Sequence, residues 1–322
     1  MGDSQWSGRR VLVTGADGFM GSHLSERLLA LGAEVSVLVR PRSVTGTVGA
    51  AFRNLGPVAD RLANVIATDI AGPDAEAAIA GLAPSVVFHL AADAYVERSF
   101  GHPREVLRTN MDGTMTVLEA ARRSSAIERV VVTSSSEVYG PAQTQRMRED
   151  HPLEPTSPYA ASKVAADRMA IAHHRTYGTP VAVIRPFNTY GPRHVYDVIP
   201  KFIAKALRGE ALTVFGDGTQ SRDFTYVDDM IDAFLAMGSH TGAVGEVVHF
   251  GCGEATTIAD LARAVANAVG GEVRIERAAP RAAEVSRLCC DASKASSLLG
   301  WRPTVSLAEG LARNVSWMRE HG

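Results

Sequence analysis

Short apolar runs rich in valine alternate with longer segments whose apolar residues recur every three to four positions. The runs fall near 11–13, 35–39, 65–68, 86–90, 130–133 and 181–185, and helical periodicity occupies, among other segments, 74–82, 103–123 and 158–177. Nearly continuous apolar strands separated by helices describe a parallel sheet covered on both faces. The expected fold is therefore α/β with a doubly wound parallel sheet. Beyond 185 the alternation loosens. Loops are expected at 188–193 and 215–218, and shorter helices at 199–207, 228–237 and 258–269. This half reads as a smaller α+β region capping the sheet. The expected division is a nucleotide-binding domain over 1–187 and a substrate domain over 188–322, with a segment near 225–252 returning to the first. Two loop-like stretches, 40–56 and 141–155, are candidate lids.

The first strand runs into Gly15, Gly18 and Gly21, and a helix pattern starts within that spacing, with Phe19, Leu24, Leu28 and Leu31 on one face. Glycines here allow a tight turn and close backbone approach to a pyrophosphate, whose charge meets the positive end of the helix. A lone glycine pattern is weak evidence. Its position between strand and helix makes it a Rossmann-type dinucleotide site.

Tyr159 and Lys163 lie four residues apart on one expected helix, which Ser157 would cap and Pro158 would begin. A cation beside a phenol favours the phenolate, so Tyr159 is a candidate base near neutral pH. Ser135, Ser136 and Glu137 supply hydroxyls and a carboxylate upstream, a set suited to alcohol oxidation if a dinucleotide takes the hydride.

Composition narrows the class further. The 322 residues are 46% hydrophobic and 21% charged, which places the chain among ordinary globular proteins. A formal net charge of -2 without a basic run argues against nucleic acid as a partner. No apolar stretch suits a bilayer span, and the polar first ten residues have no signal core, so a cytoplasmic location is expected. Cys252, Cys289 and Cys290 have no metal spacing, and no metal site is expected.

Taken together, several motifs resemble the extended short-chain dehydrogenase/reductase family that modifies nucleotide sugars. They are Thr14-Gly15-Ala16-Asp17-Gly18-Phe19-Met20-Gly21, His89-Leu90-Ala91-Ala92, Thr109-Asn110, Ser134 to Gly140, Tyr159 with Lys163, Arg185-Pro186-Phe187-Asn188, Arg222-Asp223-Phe224 and Leu299-Gly300-Trp301. The resemblance implies a bound nicotinamide cofactor, a nucleotide diphosphate sugar as substrate, and a homodimer through helices 103–123 and 158–177. It places Gly15, Gly18, Phe19, Met20, Gly21, Arg40, Asp69, Ile70, Leu90, Ala91, Ala92, Asn110, Tyr159 and Lys163 at the cofactor. Asn110 would orient Lys163, while His89 reads as a structural histidine. Asn188 and Arg222 would hold the diphosphate, with Arg193, Arg281 and Glu284 as further substrate contacts.

Within that family, Tyr159 would take the 4-hydroxyl proton and Ser135 would hydrogen-bond the same oxygen. Glu137 matches the glutamate with which 4,6-dehydratases remove the C5 proton, and Ser136 stands where dTDP-glucose dehydratases have aspartate. Serine before glutamate is the pattern of GDP-mannose-type and N-acetylated-sugar dehydratases. The expected activity is a 4,6-dehydratase, with a 4-epimerase and a uronate decarboxylase as alternatives. Val39 and Arg40 stand where NAD-preferring strands end in an acid, and Arg42 and Ser43 follow. Guanidinium groups match a 2'-phosphate, so NADP+ is favoured and NAD+ is left open.

Overall fold

The computed structural model describes residues 5–40, 52–270, 273–280 and 285–321. Arg42, Ser43, Arg281 and Glu284, named above as cofactor or substrate contacts, lie outside them.

The chain begins with β1 (Arg10–Thr14), α1 (Phe19–Ala30), β2 (Glu34–Val39), β3 (Asn64–Ala67), α2 (Ala75–Leu82) and β4 (Val86–His89). Next come α3 (Val96–Gly101), α4 (Pro103–Leu107), α5 (Gly113–Arg123), β5 (Arg129–Thr133), α6 (Pro158–Tyr177) and β6 (Val181–Pro186). The remaining elements are β7 (Asn188–Tyr190), α7 (Val198–Leu207), β8 (Leu212–Phe215), β9 (Ser221–Tyr226), α8 (Val227–Ser239) and β10 (Val247–Phe250), then β11 (Ala255–Thr257), α9 (Ile258–Val269), β12 (Ile275–Ala278), α10 (Ser293–Leu299) and α11 (Leu307–His321).

Seven strands form one sheet in the order β10-β6-β5-β4-β1-β2-β3, and every pairing is parallel. The alternation of strand side chains sorts the apolar residues onto two faces. Val11, Val13 and Phe88 pack with Leu24, Leu28 and Phe234 on one face. Leu12, Val87, Val130 and Val132 pack with Val117 and Leu118 on the other. The strand order reverses direction between β1 and β4, which opens a crevice at their carboxyl ends. Two small sheets, β11-β9-β7 and β12-β8, stand beyond the main one. The chain returns through β10, which pairs with β6.

The stretch 103–123, expected as one helix, is interrupted. A π-helical turn over Arg108–Asp112 separates α4 from α5. The widened turn leaves Asn110 fully buried, where its side chain binds other elements. A period-3.6 pattern carries no sign of such a one-residue bulge. The helix bearing Tyr159 begins as its residues dictate: Ser157 Oγ accepts from Ala160 N at 3.1 Å, Pro158 fills the first turn, and Gly178 ends it in the left-handed conformation.

Candidate active site

The cleft at the carboxyl ends of β1 and β4 encloses about 360 Å3. Gly15, Gly18, Phe19, Met20, Gly21, Arg40, Asp69, Ile70, Leu90, Ala91 and Ala92, all expected at a cofactor, line it. Gly15 has φ +68°, and a Cβ there would sit 2.7 Å from Ala91 N. A Cβ on Gly21 would sit 2.3 Å from Gly15 O, so α1 could not approach the turn so closely. The cradle is therefore built for backbone contact, with the N-terminus of α1 facing the cavity.

Buried hydrogen bonds hold its rim. Thr14 Oγ1 accepts from Ala91 N at 3.2 Å and meets His89 Nδ1 at 2.8 Å. His89 Nε2 reaches Thr114 Oγ1 at 3.1 Å, and that hydroxyl donates to Asn110 O at 2.7 Å. A neutral imidazole satisfies every bond in this chain, and burial pushes the His89 pKa down to about 3. His89 is thus structural, and it ties the β4 loop to the π turn. Asp17 was not singled out from the sequence, yet its carboxylate accepts from Arg53 N at 3.1 Å, Asn54 N at 2.9 Å and Leu55 N at 3.0 Å, bringing that segment over the cleft. Its only signal was its place inside the glycine loop. Asp69 accepts from Ala71 N at 3.1 Å and Arg108 Nη1 at 3.0 Å, which makes it a turn residue with an ion pair rather than a helix cap.

Tyr159 and Lys163, which are not among the residues lining this cavity, project from the first turns of α6. Both are buried, at 7% and 5% exposure. Lys163 Nζ donates to Thr133 O at 2.8 Å, and burial lowers its pKa to about 8, partly offset by the Asp167 carboxylate one turn along. Burial raises the Tyr159 pKa; the Ser135 side chain, in hydrogen-bonding reach, opposes that, and Glu137 and Asp197 add to it. Desolvation is the largest of these influences and favours the phenol form. The Asn110 amide donates to Asp93 O at 3.1 Å and Ser162 Oγ at 2.8 Å, and accepts from Asp93 N at 2.7 Å. Ser162 Oγ in turn donates to Tyr159 O at 2.7 Å, so Asn110 braces the backbone of the Tyr159 turn.

Ser135 caps a short 3-10 turn, Ser136–Tyr139, with its Oγ accepting from Glu137 N at 3.2 Å. Ser136 is buried. Burial raises the pKa of Glu137, Arg222 pulls it down, and Asp197 pushes it up. Arg222 is steadied by donating from Nη1 to Ser221 O at 3.0 Å and Val285 O at 2.7 Å. Asn188 begins β7, and among the described residues its buried Oδ1 has no partner, as a group awaiting a polar ligand would be. Asp197, unremarked in the sequence, joins these charges from the start of α7. Arg193, expected at the substrate, lines the cleft. It donates from Nη2 to Glu26 Oε1 at 2.8 Å and from Nη1 to Ser22 Oγ at 3.1 Å, both on α1. Among the described residues no cluster of His, Cys, Asp and Glu could hold a metal ion, and no helix is long and apolar enough to cross a membrane.

A parallel sheet with this glycine cradle and a Tyr-Lys pair beside it defines an extended short-chain dehydrogenase/reductase. The family model described as GDP-mannose 4,6 dehydratase matches residues 12–314. The chain is 37% identical over 314 residues to a UDP-glucose 4-epimerase of Mycolicibacterium smegmatis, covering 96% of this chain and 98% of that one. It is 36% identical over 322 residues to a dTDP-glucose 4,6-dehydratase of an Actinoplanes species, again covering 96% and 98%. Among solved structures, the dTDP-glucose 4,6-dehydratase of Streptomyces venezuelae with NAD bound superposes with a TM-score of 0.87 at 36% identity, covering 97% of each chain. Pal from Bacillus thuringiensis gives 0.88 at 32% identity, covering 97% and 99%. The chain belongs to this family of nucleotide-sugar 4,6-dehydratases and 4-epimerases, and it is an enzyme.

Proposed function

We propose that the protein is a nucleotide-sugar 4,6-dehydratase working with a nicotinamide dinucleotide. The observation that carries this reading is Glu137: a carboxylate of raised proton affinity that shares its surroundings with Tyr159 and Arg222. A 4-epimerase has no use for a base at C5, whereas elimination of water across C5 and C6 requires one.

The cleft fits a dinucleotide because it is lined by the glycine turn and the start of α1, and Gly15 and Gly21 let the β4 loop and α1 close tightly on that turn. Gly15, Gly18, Met20 and Gly21 would face the pyrophosphate, Asp69 and Ile70 the adenine, and Ala91 and Ala92 the nicotinamide end. When bound, the cofactor would take hydride from C4, add a positive ring to the site, and supply hydride to C6 as C5 regains a proton. Tyr159 takes the 4-hydroxyl proton, with Ser135 bonding the same oxygen, and Lys163 favours the phenolate electrostatically. The 4-ketone then acidifies C5, and Glu137 removes that proton. Its raised affinity suits Glu137 to hold the proton and pass it to the departing 6-hydroxyl, since Ser136 offers no acid of its own. Asn188 and Arg222 hold the diphosphate.

The exposed Arg40 at the ribose end, with Val39 in place of an acid, supports NADP+. Gentle denaturation of the purified protein tests this: release of NAD+ alone would count against Arg40. Leu107 and Tyr177, 48% and 59% exposed on α4 and α6, support a homodimer through those helices. Sedimentation as a monomer would remove it. The second reading, a 4-epimerase, is favoured by Ser136 where a dehydratase acid would stand. Incubation with UDP-, GDP-, dTDP- and CDP-sugars separates the two by product mass. Loss of water supports the dehydratase, and an isomer of unchanged mass overturns it.

A further inference from the structure

Arg193 lies in a segment, 191–197, that crosses from β7 to α7 over the open side of the cleft. Arg193 and Tyr196 line the cavity directly. Three contacts fasten the segment to α1, the helix whose N-terminus forms the cradle. The Arg193 guanidinium donates to Ser22 Oγ and Glu26 Oε1, His23 Nε2 meets Pro192 O at 3.1 Å, and the His194 ring stacks on Phe19 at 4.6 Å between centroids with 6° between planes. The Tyr196 ring continues this cover, 4.9 Å from His194 and 5.6 Å from Tyr95, which also lines the cavity.

The backbone of Arg193 has φ +71°, the left-handed region that side chains other than glycine rarely adopt. Such a conformation persists only where surrounding contacts impose it. The contacts around it include those of the guanidinium, whose side chain is 17% exposed, with Glu26 at 27%.

We propose that Arg193 is a positioning residue for the cofactor: by pinning the 191–197 strap to Ser22 and Glu26 it closes the cleft over the dinucleotide and sets the rate at which the dinucleotide leaves. This rests on the reading of the cleft as a dinucleotide site. A tightly retained cofactor suits a reaction that takes hydride from one carbon and returns it to another, because escape of the reduced form midway would strand the keto sugar.

The test loads the purified protein with radiolabelled NAD+ or NADP+ and follows release into excess unlabelled dinucleotide. Arg193→Ala and Glu26→Gln should each release label about tenfold faster than wild type, and Arg193→Glu combined with Glu26→Arg should return to within about threefold. In Arg193→Ala, excess dinucleotide should restore turnover while KM for the nucleotide sugar stays unchanged, a split that a merely structural lesion would not produce. Should Arg193→Ala fail to fold, Glu26→Gln carries the test from the other partner. Release rates within about twofold of wild type in both single variants would overturn the latch, as would a raised sugar KM with unaltered release, which would make Arg193 a substrate ligand. Wild-type protein that binds neither dinucleotide overturns the cleft reading itself, and the latch with it.

Discussion

The dinucleotide cradle and the sugar side of the site are built on opposite principles. The cradle is made of backbone: a glycine turn between β1 and α1, a β4 loop held by Thr14, and close backbone approaches at Gly15 and Gly21 that leave no space for a Cβ. The proposed sugar side is made of side chains from separate elements, namely Glu137 after β5, Tyr159 on α6, Asn188 on β7, Asp197 before α7 and Arg222 on β9. Their charges act on one another, with Arg222 and Asp197 pulling Glu137 in opposite directions. The difference teaches where each kind of change will be felt. The cradle tolerates no added volume, and the sugar side tolerates no altered charge or lost proton carrier.

The largest effect is expected at Tyr159. Tyr159→Phe should lower turnover about 10³-fold while dinucleotide affinity stays within about threefold, measured by steady-state rates beside a fluorescence titration. An equal loss in both would erase the distinction between the two regions. Gly15→Ala should do the reverse on the cradle. It weakens dinucleotide binding by about 100-fold or more, because the added methyl meets the Ala91 backbone and the left-handed φ is strained. Glu137→Gln should slow water loss about 100-fold yet leave oxidation at C4 intact, so nicotinamide absorbance appears without dehydrated product. Unchanged dehydration in that variant would end the role assigned to Glu137.

Smaller effects sharpen the comparison. Arg222→Lys should raise KM for the nucleotide sugar about tenfold with kcat nearly unchanged, since an ammonium cannot reproduce the bidentate phosphate contact proposed for Arg222. For pH, the sign follows from Lys163, whose pKa burial lowers to about 8. The ammonium is present below that value and lost above it, so kcat should fall as pH rises through about 8. Lys163→Arg, which keeps its charge, should remove that limb from the rate profile.

Much of the fold was legible because buried parallel strands must be apolar on both faces, a pattern that valine runs display openly. The cradle was legible for a related reason: a turn that only glycine can make leaves glycine at a recognisable spacing. The break in 103–123 was not legible, since a π turn inserts one residue without altering the apolar period, and Asn110 looks like any polar position until Asp93 and Ser162 close around it. Nor did sequence reveal Asp17 holding the 53–55 backbone, or Arg193 turned to α1. A carboxylate or guanidinium finds its partner through contacts far apart in the chain, and separations of 37 and 167 residues leave no local signature.

What the amino-acid order determined by itself was the sheet, the glycine turn and the pairing of Tyr159 with Lys163 on one helical face, because each is dictated by local geometry at short range. What tertiary structure decided was the burial of that pair. Lys163 is lowered and Tyr159 raised by burial against β5, α6 and the cap. The helical spacing of a phenol and an amine is written in four residues. Their distance from water is set by the packing of the whole molecule around them.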